Sequence, residues 1–134
     1  MKIFNSYTNA LETFVPRHPG VVSMYVCGPT VYNYIHIGNA RPVVFFDTVR
    51  RYFAAKGNRV RFVSNFTDVD DKIIAKAKQQ GKDEGAVSQY FIDAFLRDVE
   101  ALGSSVDYIQ PRVTRYMDKI IDYIADLVKA EYAY

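Results

Sequence analysis

The stretch Val21–Cys27 constrains this chain more than any other. It is almost wholly apolar or β-branched, and Gly28-Pro29 stops it. Such a run reads as a buried strand, and its near-continuous hydrophobicity suits a parallel sheet covered on both faces. A loop from Gly28 to Gly38 follows. Phe45, Phe46, Val49, Tyr52 and Phe53 then recur at helical spacing, and Gly57 predicts the end of that helix. Pro42 is expected in its first turn, where proline is tolerated. Val60–Ser64 reads as a second strand. Strand, loop, helix and strand make a βαβ unit, which normally closes right-handed.

The flanks are less regular. Residues 1–20 are mixed, with turn signals at Pro16 and Pro19-Gly20 and a short strand expected at Met1–Asn5. Thr67-Val69-Asp70 looks like the start of a helix running through Ile73, Ile74 and Ala77 to Gly81, with Thr67 and Asp70 spaced as a capping box. Val87, Tyr90, Phe91, Ala94, Phe95, Val99 and Leu102 form an amphipathic stripe ended by Gly103. A second stripe runs from Val113 through Tyr116, Met117, Ile120, Ile121, Ile124 and Leu127 to Val128. The expected architecture is α/β in front and helical behind. The chain stops at Ala133-Tyr134 with no cap or tail, as expected of a cut chain.

With 134 residues, 49% hydrophobic and 24% charged, the chain is one ordinary globular domain over 1–134. No apolar run approaches the roughly 18 residues that span a bilayer, and Met1–Asn5 turns polar too early for a signal peptide. A net charge of +2 neither marks nor excludes a nucleic-acid binder. One cysteine allows no internal disulfide, and a soluble, cytoplasmic protein is expected.

In doubly wound sheets ligands bind beyond the carboxyl ends of the strands. Cys27–Asn39 sits at such an end and leads into a helix, whose free N–H groups and dipole favour an anion. His36 and Asn39, three apart, share one helical face and can both donate to phosphate oxygens. Gly38 leaves the backbone open to a flat ring. A single histidine beside an apolar helix is nonetheless more often a core or capping residue, so these residues alone indicate only a possible nucleotide site.

Tyr25-Val26-Cys27-Gly28-Pro29-Thr30-Val31-Tyr32, followed by His36-Ile37-Gly38-Asn39-Ala40-Arg41, closely resembles cysteinyl-tRNA synthetases. His-Ile-Gly-Asn is a variant of the class I synthetase signature His-Ile-Gly-His. The resemblance continues through Asn65-Phe66-Thr67-Asp68-Val69-Asp70-Asp71-Lys72-Ile73-Ile74 and Pro111-Arg112-Val113-Thr114, covering nearly the whole chain. It implies the first half of a Rossmann-like class I synthetase nucleotide-binding fold with C-terminal helices. The implied activity is ATP-dependent conversion of cysteine to cysteinyl-adenylate and its transfer to tRNA(Cys).

By the same resemblance, His36 and Asn39 are catalytic and hold the phosphates of ATP, supplied with Mg2+, and Gly38 lets the adenine pack close. Their work is electrostatic, stabilising charge as the α-phosphate is attacked; the attacking carboxylate is already ionised, so no general base is needed. Cys27 matches a zinc ligand of the family, whose metal takes the substrate thiol and so rejects serine. Read without the family, Cys27 is more often a small buried hydrophobe. Zinc needs about four ligands, and the family's others lie beyond residue 134. Thr67 and Asp68 match the amino-acid pocket, although with Asp70 and Asp71 they equally suit a helix cap. Gly28 and Thr30 match loop positions near the substrate. Arg50, Arg51, Lys56, Arg59 and Arg61 form a basic cluster that could face tRNA phosphates but more often is a solvated helix face.

The family's second signature, Lys-Met-Ser-Lys-Ser, does not occur, and Tyr116 stands where a histidine is expected near the nucleotide pocket. The 134 residues alone are therefore expected to be inactive without the carboxy-terminal part of the same enzyme, which is expected to be a monomer at full length. Two alternatives stand beside this reading: a non-catalytic piece that folds or binds ATP weakly, and a related ligase joining cysteine to an amino sugar.

Overall fold

A computed structural model describes all residues, 1–134. Strands β1 (Lys2–Asn5) and β2 (Ala10–Thr13) pair as an antiparallel hairpin. Strand β3 (Val21–Val26) leads through a loop to helix α1 (Ile37–Ala55) and strand β4 (Arg59–Ser64). Helices α2 (Asp71–Gln80) and α3 (Glu84–Ala101), a 3-10 turn (Val113–Tyr116) and helix α4 (Met117–Lys129) complete the chain. No helix is long and apolar enough to cross a membrane.

The expected βαβ unit is present. β3 and β4 are parallel, in register from Val21 with Arg59 to Val26 with Ser64. The ladder then breaks and resumes as an isolated bridge between Thr30 and Thr67. Two further parallel bridges, Val63 to Ile109 and Phe66 to Arg112, bring the segment after α3 alongside β4.

The sheet is not covered on both faces, contrary to the expectation from β3. Only Val22 of that strand is buried, and Tyr25 is 63% exposed. Apolar side chains alone do not bury a strand; a layer must pack on each face, and here helices reach only part of it. The core lies instead where Val31 and Phe66, just past the two strands, meet Ile73 and Ala77 of α2 and the Val87, Phe91, Phe95 and Val99 stripe of α3. The rings of Phe66 and Phe95 pack edge to face at 5.4 Å.

Three local expectations are corrected. Pro42 lies inside α1, not in its first turn, because the helix begins at Ile37; Pro42 therefore offers no N–H to the carbonyl of Gly38. The cap of α2 is Asp70, whose carboxylate accepts from Lys72 N at 2.9 Å, and not Thr67. Thr67 is drawn away because its backbone N–H donates to Pro29 O at 3.1 Å and its carbonyl accepts from Val31 N at 3.2 Å. The β1–β2 hairpin was not foreseen: β2 is exposed throughout, so it carries no apolar alternation, and polar contacts of Glu12 with Asn5 and Thr8 tie it to β1 and the turn.

Candidate functional site: a cleft at the carboxyl end of the parallel strands

A cleft of about 140 Å³ opens where β3 and β4 end and α1 begins. Cys27, Gly28, Gly38, Asn39, Asp47 and Arg50 are among its walls. Four of the residues singled out in the sequence are thus brought together: Cys27, Gly28, Gly38 and Asn39.

His36 is the N-cap of α1. Its Nδ1 accepts the Gly38 N–H at 3.1 Å, and the Asn39 Oδ1 accepts the His36 N–H at 3.3 Å, closing a reciprocal capping box. A ring nitrogen that accepts carries no proton, so the imidazole keeps its N–H on Nε2 and the Asn39 Nδ2 remains a free donor. The ring lies so close over Gly38 that a β-carbon there would stand 2.8 Å from Cε1. Capping of α1 therefore draws on this pair of residues, and the helix N-terminus adds its partial positive charge.

Cys27 is exposed at the strand end, not the buried hydrophobe that a lone cysteine more often is. Gly28 follows because nothing larger fits: a β-carbon would lie 1.6 Å from the Asn65 carbonyl oxygen. At the inner end of the cleft Asp47 is held by two arginines, Arg50 Nη2 at 2.7 Å and Arg51 Nε at 2.7 Å, and Arg51 also donates to Gly103 O at 2.9 Å. Two members of the supposed basic cluster are thereby tied to an acid. Burial pushes the Asp47 carboxyl up, but the hydrogen bonds and charges of Arg50 and Arg51 outweigh it and hold the group below its ordinary range. Tyr108 faces the same end, and burial pushes its hydroxyl up.

Thr30, Thr67 and Asp68 stand outside this cleft. Thr30 and Thr67 form the isolated bridge. Asp68 is buried and does not cap α2; its two oxygens accept from Thr114 N at 3.0 Å and Thr114 Oγ1 at 2.6 Å, anchoring the 3-10 turn. Tyr116 lies on the surface beneath the Lys119 ammonium, 5.2 Å from its ring centroid. No group of three or more His, Cys, Asp or Glu side chains is placed to hold a metal ion, so residues 1–134 do not by themselves fit a zinc ion.

Sequence reasoning passed over Asp47 and Asn65. A carboxylate within the apolar stripe of α1 was a visible signal, since such a residue is rarely buried unpaired. Asn65 had a weaker one: a side-chain amide placed one residue past a strand end.

The family described as tRNA synthetases class I (C) catalytic domain matches residues 13–134. The cysteine–tRNA ligase of Streptococcus agalactiae serotype V is 56% identical over 134 residues, all of this chain and 30% of that enzyme. The cysteine–tRNA ligase of Lysinibacillus sphaericus is also 56% identical over 134 residues, covering 29% of its length. The chain thus spans under a third of the length of these relatives. Among solved structures, the ternary complex of Agrobacterium radiobacter K84 LeuRS with tRNA and LeuAMS superposes with a TM-score of 0.62 at 24% identity, over 74% of this chain and 13% of that one. That likeness speaks for the fold alone, and it agrees with the Rossmann-like α/β architecture. With the family matched over all but the first twelve residues, and with its signature turn capping α1 beside the cleft, the chain belongs to the class I (C) tRNA synthetase catalytic-domain family.

Proposed function

We propose that this chain is the amino-terminal part of the catalytic domain of a cysteine–tRNA ligase. The observation that carries the reading is the shared cleft: an exposed thiol, Cys27, faces the same space as Gly38 and Asn39 of the capped helix start. Relatives 56% identical over the whole chain bear that activity by name, which supports it.

The chemistry follows from the donors. ATP, carried with Mg2+, would lie with its phosphates at the N-terminus of α1, where the His36 Nε2–H and Asn39 Nδ2 donate to them. The cysteine carboxylate attacks the α-phosphate, the bond to the β-phosphate breaks, and pyrophosphate leaves with the electron pair. Charge grows on the phosphate oxygens as this happens, so fixed donors lower the barrier without a proton transfer. Cysteinyl-adenylate then passes its acyl group to a ribose hydroxyl of tRNA(Cys), releasing AMP. Cys27 would be one residue holding a zinc ion, whose chemistry would be to take the substrate thiol; residues 1–134 carry no set of donors for it, and no step here depends on it. The protein is read as cytoplasmic and as a monomer at full length.

A chimera tests this: residues 1–134 replace the matching segment of the Lysinibacillus sphaericus enzyme, and cysteine-dependent ATP–pyrophosphate exchange is measured. Exchange with cysteine and not serine is expected, the Cys27→Ala change should lower kcat/KM for cysteine by about a hundredfold or more, and the 134 residues alone should show none. Exchange indifferent to cysteine, or an aminoacyl product formed on an amino sugar and not on tRNA, would overturn the reading.

A further inference from the structure

The β3–β4 ladder has a gap, and one side chain spans it. Backbone pairing stops at Val26 with Ser64 and resumes at Thr30 with Thr67. Between them lie Cys27, Gly28 and Pro29 on one side and Asn65 and Phe66 on the other. The Asn65 Oδ1 accepts two hydrogen bonds, from Gly28 N at 3.0 Å and from Tyr25 Oη at 3.0 Å. Its Nδ2 donates to Thr67 Oγ1 at 3.2 Å. Its own carbonyl is packed against the Gly28 α-carbon, where no β-carbon could stand.

We propose that Asn65 is a positioning residue for Cys27: its amide bridges the break in the ladder and so fixes where the thiol enters the cleft. The physical need is plain. A strand leaving its ladder loses the backbone hydrogen bonds that defined its path, and the first free residues would sample several conformations. Cys27 is one of those residues, and it is flanked by a glycine, the residue with the most backbone freedom. An amide is suited to the gap because one oxygen takes both the Gly28 N–H and the Tyr25 hydroxyl across it, while the nitrogen ties the side chain to Thr67 on its own segment. The orientation of the amide is set by these partners, since only an oxygen can receive the Gly28 N–H. In the ligase reading above, on which the functional half of this proposal rests, a displaced Cys27 would weaken capture of the amino acid and leave ATP untouched.

The experiment has two arms. In the 134-residue chain, hydrogen exchange of the Gly28 amide and the alkylation rate of Cys27 by iodoacetamide are followed in Asn65→Ala and Asn65→Asp. Asn65→Ala should speed Gly28 exchange by about tenfold, the effect of losing one hydrogen bond, and change the Cys27 rate at least about threefold. The Ser64 amide, which donates to Ile109 O at 3.0 Å, should keep its protection and mark the fold as intact. Asn65→Asp retains both acceptor roles and should return Gly28 and Cys27 to within about twofold of the parent. Unchanged Gly28 and Cys27 in Asn65→Ala, an Asp variant behaving like the Ala variant, or loss of Ser64 protection together with Gly28 would each overturn the positioning role. In the chimera, Asn65→Ala should raise KM for cysteine about tenfold and leave KM for ATP within about twofold; equal rises in both would overturn the selective role. If the unsubstituted chimera shows no cysteine-dependent exchange, the ligase reading fails, and the first arm still decides the positioning claim.

Discussion

Asp47 shows how much a single side chain can tie together. Its carboxylate is only 10% exposed, in the middle of α1. Alone it would be costly there; Arg50 and Arg51 make it tolerable by supplying three hydrogen bonds and two charges. The Arg50 pair is the better shielded, while Arg51 is 59% exposed, so solvent screens its share. Because the folded state holds the Asp47 carboxyl below its ordinary value of 3.8, its contribution is present in full above that value and is lost as pH falls through the lower, folded one. Asp47→Asn should therefore destabilise the chain at pH 7 by about 1–3 kcal/mol, since one guanidinium loses its acceptor oxygen and both lose the opposing charge. The gap between variant and parent should narrow steadily below about pH 4. Urea denaturation at a series of pH values checks both the size and the sign.

At the scale of elements, two amphipathic helices with equally clear stripes meet different fates. α3 turns Val87, Phe91, Phe95 and Val99 into the core, with Phe95 only 4% exposed. α4 buries nothing: Ile121 is 57% and Ile124 50% exposed. An apolar stripe states what a helix offers, and only a neighbour decides whether the offer is taken up. Phe95→Ala should cost about 3–5 kcal/mol, because it removes a ring packed against Phe66 and leaves a cavity. Ile121→Gln should cost less than about 0.5 kcal/mol in the same chain, because an exposed side chain loses no packing. Thermal or urea unfolding of the two variants side by side distinguishes them, and a large loss in Ile121→Gln would show that α4 packs in a way this structure does not contain.

The whole molecule carries the consequence. It exposes 9867 Å², whereas a compact monomer of 15.4 kDa exposes about 7200 Å². Part of the excess is apolar, along α4 and on the open side of the β3–β4 sheet, where Tyr25 is 63% and Ile109 53% exposed. Surfaces of that kind bind other apolar surfaces. The isolated chain should therefore enhance the fluorescence of an apolar dye such as ANS, and its weight-average mass in sedimentation should rise with concentration. A dye-silent monomer that melts sharply at every concentration would contradict this.

The strands and helix of the βαβ unit, the glycine stop at Gly57, the two amphipathic helices and the His36–Asn39 turn were legible in the sequence, because each is marked by a pattern within a few residues along the chain. Periodicity and left-handed glycines need no distant partner. What the tertiary structure decided lies across larger separations. Asp68, which with its neighbours also suited a helix cap, is bound 46 residues away by Thr114 and does not cap α2. Asn65 acquires its meaning only when Gly28 arrives 37 residues earlier in the chain. Cys27 could be read as buried until the strand end placed it on the surface. Local pattern records what each segment prefers by itself; which polar groups meet, and which apolar faces stay open, depends on the packing of segments against one another, and that energy is not written in any one of them.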